Sequence, residues 1–244
     1  MSRIRLDQLM VEKGLAESRS KAQRLIMAGL VEVDGARAAK AGHLIADDAT
    51  VVLRETERFV SRGGEKLQAV FDRFGMNVED KICMDVGAST GGFTDCLLQH
   101  GARKVYAIDV GKGQLHWKLR NDPRVVVMEE VNARYLAASD LSEQPMVAVT
   151  DVSFISLTII LPPVTLILPS GGCLAALIKP QFEAGREQVG RGGVVRDETV
   201  RSEVVERICR FCEEQLGLEK RGVGESPLRG PAGNVEYVTY WVKP

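Results

Sequence analysis

Long apolar runs are missing from this chain. No stretch approaches the roughly 18–20 residues needed to span a bilayer, and the first ten residues, MSRIRLDQLM, are charged and hold no apolar core segment, so no signal peptide is expected. A pore-forming protein would need a spanning segment, an insertable amphipathic stretch or a secretion route, and none is visible. Cysteine is scarce and odd in number, five in no regular framework, which argues against a disulfide scaffold and for a reducing cytoplasm. Cys209 and Cys212 form a C-x-x-C within the helical pattern VVERICRFCEEQL, without a second pair or a nearby histidine, and are expected in a helix core. Histidine is limited to three, and His116 has no partner at metal-ligand spacing, so no metal is expected. Neither charge sign dominates: 32 Lys and Arg against 33 Asp and Glu leave a net −1, so nucleic-acid binding would have to come from local patches. Internal repeats and low-complexity tracts are absent as well.

What is present begins with DVGASTGGFTDCL, residues 85–97, where an apolar strand (Ile82, Met84, Val86) runs into a glycine-rich turn and an apolar helix. Such a turn lets a ligand approach the backbone closely. A P-loop would place Lys and then Ser or Thr after its second glycine, but Gly92 is followed by Phe93 and Thr94; the dinucleotide pattern G-x-G-x-x-G is absent too. The loop residues Gly87, Ala88, Ser89, Gly91, Gly92 and Phe93 therefore suit a nucleoside-like ligand with no obligatory pyrophosphate. From residue 65 onward strand and helix patterns alternate, through KVYAIDVG, VVVMEEV, MVAVTDVSF, GGCLAALIKP and VRSEVVERICRFCEEQLG to VEYVTYWVK. That alternation implies an α/β fold with a doubly wound parallel sheet and a ligand site at the carboxyl ends of its strands. Asp109 ends the second strand, where an acidic residue accepts hydrogen bonds from ribose hydroxyls. Asn132 follows the third and is placed either to contact an adenine edge or to cap a helix. Asp85 either braces the loop or reaches the ligand's amino group. Together these stations fit S-adenosylmethionine better than NAD, whose dehydrogenases need the missing pyrophosphate loop.

The first 60 residues differ. Leu6, Leu9 and Met10 share a helix face that stops at Gly14. Ser18 or Ser20 caps a second helix ending at Gly29, and a strand runs to an Asp34-Gly35 turn. Arg3, Arg5, Lys13, Arg19, Lys21 and Arg24 outnumber Asp7, Glu12 and Glu17 over residues 1–30. They form either a solvated face or, with Arg19, Lys21 and Arg24 at a helix start, a phosphate-binding one. The segment RLDQLMVEKGLAESRSKAQRLIMAGLVEVDG resembles the S-four RNA-binding domain of ribosomal proteins and RNA-modifying enzymes, which implies docking on structured RNA by charge and shape. The expected organisation is a small α+β domain over 1–59, a linker over 60–64 with Gly63-Gly64 as its flexible point, and a large domain over 65–244.

Four charged residues stand at element ends of the large domain: Lys66, Asp151, Lys179 and Glu236. A lone charge at a strand end usually marks only where the strand reaches water; four at one sheet edge resemble the Lys-Asp-Lys-Glu tetrad of FtsJ-like ribose 2′-O-methyltransferases. A 2′-hydroxyl is a very weak acid, so its methylation needs an adjacent base, and an amine serves when burial and a neighbouring cation bring its pKa below about 10.4. Lys179 is the candidate base, Lys66 the neighbouring cation, and Asp151 and Glu236 the groups that orient them. FVSRGGEKL, DVGASTGGFTDCLLQHGARKVYAIDVGKGQL, DPRV, DVSFISL, KPQFEAGREQVGRGGVVRD and GPAGNVEYV resemble the TlyA family over nearly the whole chain. The resemblance implies a Rossmann-like methyltransferase domain with its last strand antiparallel, fused to the S-four domain. It further implies S-adenosylmethionine as cofactor and methylation of cytidine 2′-hydroxyls in ribosomal RNA, in a family often labelled haemolysin. A start near RIRLDQLM and an end after YWVKP resemble the family's shorter form, whose implied target is large-subunit RNA. A non-catalytic ribosome-assembly factor is the alternative. Arg186 and Arg191, with Arg196, lie among the glycines after Lys179, as an unremarkable loop or a clamp on RNA phosphates. Trp117 is expected in the core rather than stacked on a base.

Overall fold

The computed structural model describes residues 3–53 and 58–244, so residues 54–57, near the end of the expected small domain, lie outside the described residues. The chain divides into two compact units, Met1–Glu57 and Arg58–Pro244.

In the smaller unit β1 (Arg3–Arg5) leads into α1 (Leu6–Glu12) and α2 (Arg19–Met27), followed by β2 (Val31–Val33), β3 (Ala36–Arg37), β4 (Leu44–Ala46) and β5 (Val51–Leu53). β1 pairs with β4, and β2 is flanked by β3 and β5, all antiparallel. Ser18 is the cap of α2, its Oγ accepting the Lys21 N–H. Asp34 and Gly35 both take positive φ between β2 and β3, the geometry of a tight hairpin turn. Leu6, Leu9, Met10, Ala22, Ile26 and Val31 form the small core.

The larger unit is a seven-stranded sheet between two helical layers. α3 (Gly63–Phe74) precedes β6 (Ile82–Val86), α4 (Gly92–Gln99), β7 (Lys104–Ile108), α5 (Trp117–Arg120) and β8 (Val125–Met128). Then follow β9 (Val147–Thr150), α6 (Leu157–Ile167), β10 (Cys173–Ile178), α7 (Pro180–Glu183), α8 (Glu198–Glu214), β11 (Glu219–Glu225) and β12 (Tyr237–Val242). The strand order is β11-β12-β10-β9-β6-β7-β8, parallel from β10 to β8. β12 is antiparallel to both its neighbours. Alternation along the central strands sets the layers. Cys83 of β6 and Ala175 and Leu177 of β10 face α3 and α4, while Met84, Val86, Leu174 and Ala176 face α6 and α8. Cys209 and Cys212 belong to that second core.

Phe59 to Gly64 belong to this unit rather than to a linker. Phe59 is 3% exposed in the core, and Gly63 and Gly64 are the first residues of α3. A Cβ on Gly92 would lie 2.8 Å from the Gly64 nitrogen, so glycine here permits the starts of α3 and α4 to touch. Trp117, expected in the core, is 72% exposed, because α5 is a single turn whose buried side is supplied by Leu119. The side chain of His116 caps that turn by accepting the Lys118 N–H.

Candidate active site

The sheet's carboxyl edge carries two adjoining clefts. The first, about 420 Å³, lies over β6, β7 and β9 and is lined by Gly87, Ser89, Asp109, Gln114, Asn132 and Phe154, among others. The second, about 320 Å³, is lined by Lys66, Asp151, Lys179, Arg62, Arg229 and the loop residues Ala88, Gly92 and Phe93. Gly87, Ser89, Asp151 and Ser153 border both.

The glycine-rich turn is pinned to β7: the Gly87 and Ala88 N–H groups donate to Ile108 O at 2.9 and 3.1 Å, and the Ser89 N–H to Asp109 Oδ2 at 2.8 Å. Gly87 has φ +86°, and a Cβ there would sit 3.0 Å from Asp151 O, so the residue is glycine on two counts. Asp109 also accepts the Gly111 N–H through Oδ1 at 2.7 Å. A carboxylate offers about four acceptor positions, so each oxygen keeps one toward the cleft, as a ribose diol requires. Asn132 takes the capping role, its Oδ1 accepting the Arg134 N–H at the start of the turn Ala133–Tyr135, and it also lines the first cleft. These residues fit an adenosine-bearing cofactor.

Two of the expected cofactor residues lie elsewhere. Asp85 lines neither cleft: it points from β6 under α4, fully buried, and accepts the Thr94 hydroxyl at 2.6 Å. It therefore braces the loop. Its other oxygen has no partner among the described residues, and burial pushes its pKa up to about 7. Gly91 faces Leu115 and Leu119, away from both clefts.

Lys66, Asp151 and Lys179 line the second cleft, and Glu236 lies behind Lys66. Lys66 Nζ lies 2.6 Å from Glu236 Oε2 and 3.8 Å from Asp151 Oδ2; Lys179 Nζ lies 2.6 Å from Asp151 Oδ1. Asp151 thus stands between the two ammonium groups. Lys66, Lys179 and Glu236 are buried and Asp151 is partly exposed, so three of the four charges are largely removed from water, each beside an opposite charge. Helix α3, the ends of β9 and β10 and the start of β12 each supply one residue.

Several neighbours carried no sequence signal of their own. Ser153 accepts from Lys179 Nζ at 2.9 Å, and Gln181 donates to Glu236 Oε1 at 3.1 Å. Glu183, buried on α7, accepts the Ser156 hydroxyl and the Leu157 N–H, both at 2.7 Å, which ties the loop after Asp151 to the helix after Lys179. Phe154 has φ +63°, is 90% exposed, and rests on Phe182 at the mouth of the first cleft. Ser153 and Phe154 follow Asp151 two and three residues on in DVSF, the one signal that could have marked them.

The expected RNA contacts are on the surface. Arg186 and Arg191 are exposed on the loop after α7 and line neither cleft. In the small unit Arg3, Lys21 and Arg24 are exposed, whereas Arg5 and Arg19 are held at 2.9 and 3.3 Å by the fully buried Asp7. Those contacts, led by the Arg5 hydrogen bond, keep the Asp7 carboxyl well below the usual carboxylate range. Among the described residues no group of three His, Cys, Asp or Glu is placed to hold a metal.

Comparison with known proteins covers both units. The FtsJ-like methyltransferase family model matches residues 59–243 and the S4 domain model residues 4–51. The Bacillus subtilis protein YqxC, provisionally named an rRNA methyltransferase, is 49% identical over 97% of this chain and 84% of its own length. The Mycobacterium tuberculosis 16S/23S rRNA (cytidine-2′-O)-methyltransferase TlyA is 47% identical over 96% of this chain and 88% of its own. A solved Streptococcus thermophilus chain, provisionally titled a hemolysin, superposes with a TM-score of 0.76 at 46% identity, covering 100% of this chain and 89% of that one.

Proposed function

The chain belongs to the TlyA family of FtsJ-like methyltransferases with an S4 domain ahead of the catalytic one, and on that premise we propose that it methylates cytidine 2′-hydroxyls of ribosomal RNA through Lys66, Asp151, Lys179 and Glu236. Its cofactor is S-adenosylmethionine, which supplies a sulfonium methyl when bound. Asp109, Ser89, Gly87 and Asn132 would hold it along the first cleft. Large-subunit RNA is the target we favour, with small-subunit RNA as a second.

The observation that carries the reading is the position of Lys179, paired to Asp151 and bonded to Ser153 at the border of the two clefts. In its neutral form the Lys179 amine would accept the 2′-hydroxyl proton as that oxygen takes the methyl group the bound cofactor would supply. Lys66, fixed by Glu236, would stand beside the developing oxyanion. Asp151 holds both lysine nitrogens in register. Charge is neutralised as the alkoxide meets the sulfonium, so a site that excludes water favours the step.

The test is transfer of labelled methyl from S-adenosylmethionine to separated small and large ribosomal subunits. Lys179→Ala is expected to lower transfer by about 10²–10⁴-fold, the range of a general base, with cofactor affinity retained. Label on the small subunit alone would overturn the favoured target; equal transfer by the variant would overturn the base. Work on ribosomal RNA puts the protein in the cytoplasm, and among the described residues no helix is long and apolar enough to cross a membrane.

A further inference from the structure

The second cleft holds more positive charge than its four central residues account for. Lys66 and Lys179 are matched by Glu236 and Asp151. Arg62 and Arg229 line the same cleft, both are exposed, and neither meets a carboxylate among the described residues. Arg62 has no side-chain partner there at all, and Arg229 has only the Gly233 carbonyl, at 3.4 Å.

Both arginines are tied by their backbones to the residues that flank the base. Arg62 caps α3 one turn ahead of Lys66, so the two project from one helix face. Arg229 is held by the turn before β12. Gly230 N–H donates to Asn234 O at 2.9 Å, and a Cβ on Gly230 would lie 2.5 Å from Glu236 Oε1. That turn therefore packs closely against the Glu236 carboxylate.

A 2′-hydroxyl within an RNA chain has its own 3′-phosphodiester on the adjacent carbon and a 5′-phosphodiester across the same ribose. An RNA whose 2′-oxygen reached Lys179 would bring two negative charges into this cleft, where two unmatched guanidinium groups wait. Planar guanidinium groups pair well with phosphate oxygens. We propose that Arg62 and Arg229 form a phosphodiester subsite that grips the backbone on either side of the target nucleotide. The enzyme thereby selects a nucleotide inside a chain over a free nucleoside. This rests on the reading of the tetrad given above.

Methyl transfer to ribosomal RNA by the full chain tests it, comparing wild type with Arg62→Gln, Arg229→Gln, the double variant and Arg62→Lys. Each glutamine variant is expected to raise KM for RNA about tenfold, the scale of one lost charge-assisted phosphate contact. In the double variant, which loses two phosphate contacts, the slope of log(kcat/KM) against log[salt] flattens by about 1.4–1.8 units. Arg62→Lys recovers part of the loss, and the Kd for S-adenosylmethionine is unchanged throughout. An unchanged KM and salt slope in the double variant would overturn the subsite. So would a loss confined to cofactor affinity, which would assign the arginines to the cofactor's carboxylate. Absence of transfer by the wild type would instead remove the methyltransferase reading and the subsite with it, an outcome distinct from the other two.

Discussion

At the scale of single residues the most exposed consequence is at Asp85, a carboxylate held without water. Its pKa of about 7, raised chiefly by burial, lies above that of an aspartate in an unfolded chain, about 3.9. The folded state therefore binds the extra proton between those values. The stability Asp85 contributes is full below about pH 4 and is lost as the pH rises through 7. Asp85→Asn keeps an acceptor for the Thr94 hydroxyl and removes the titration. The variant is expected to gain stability relative to wild type as the pH goes from 4.5 to 8, measured by urea unfolding across that range; a difference independent of pH would refute this. Asp7 has the opposite sign. Its depressed pKa gives stability present above about pH 4 and lost on acidification, and Asp7→Ala is expected to cost about 1–3 kcal/mol, the range for hydrogen bonds to a charged group. Faster amide exchange in α1 and α2 would report it.

Elements explain what the sequence pattern left out. β11, EKRGVGE, has no strand signature because its inward positions are Gly222 and Gly224. Those glycines lie under Phe74 and Arg73 of α3, so large neighbours replace the β-branched side chains a strand normally shows. α6 carries Pro162 and Pro163 in its middle turn, which reads as a breaker. The central strands were legible, since KICMDVG, KVYAIDVG and GGCLAALIKP are runs too apolar to be anything but buried. Asp151 and Lys179 stood out as charges at the ends of such runs, whereas Lys66 on α3 and Glu236 ahead of β12 were singled out with the help of the family resemblance. Arg62 and Arg229 were not, because an arginine beside glycine looks like any solvated loop. One element-scale device is Asn234, 2% exposed. Its Oδ1 accepts the Val195 N–H at 3.0 Å and its Nδ2 donates to Gly193 O at 2.8 Å, joining the loop of Arg186 and Arg191 to the strand of Glu236. Asn234→Ala is expected to free that loop. Trypsin should then cut faster after Arg191, and kcat/KM for RNA should fall while cofactor affinity is kept.

For the whole molecule, near-zero net charge conceals a division of labour: the clefts belong to the larger unit, and the smaller adds exposed Lys21 and Arg24 on α2. A double replacement, Lys21→Glu with Arg24→Glu, is expected to raise KM for ribosomal RNA at least about tenfold at low salt, with cofactor binding unaffected; titration calorimetry and methyl transfer separate the two. The contact that matters most here joins residues 170 apart, Lys66 and Glu236. It depends on β12 entering the sheet between β10 and β11. Chain order and sheet order thus disagree: β11 is made before the strand it pairs with, and the apolar flank of β10 stays uncovered until residues 237–242 arrive. During synthesis the last strand is therefore a keystone. It seals an aggregation-prone edge and delivers the carboxylate to Lys66 in one event, so a chain broken off before Glu236 is unfinished in fold and in charge balance at once.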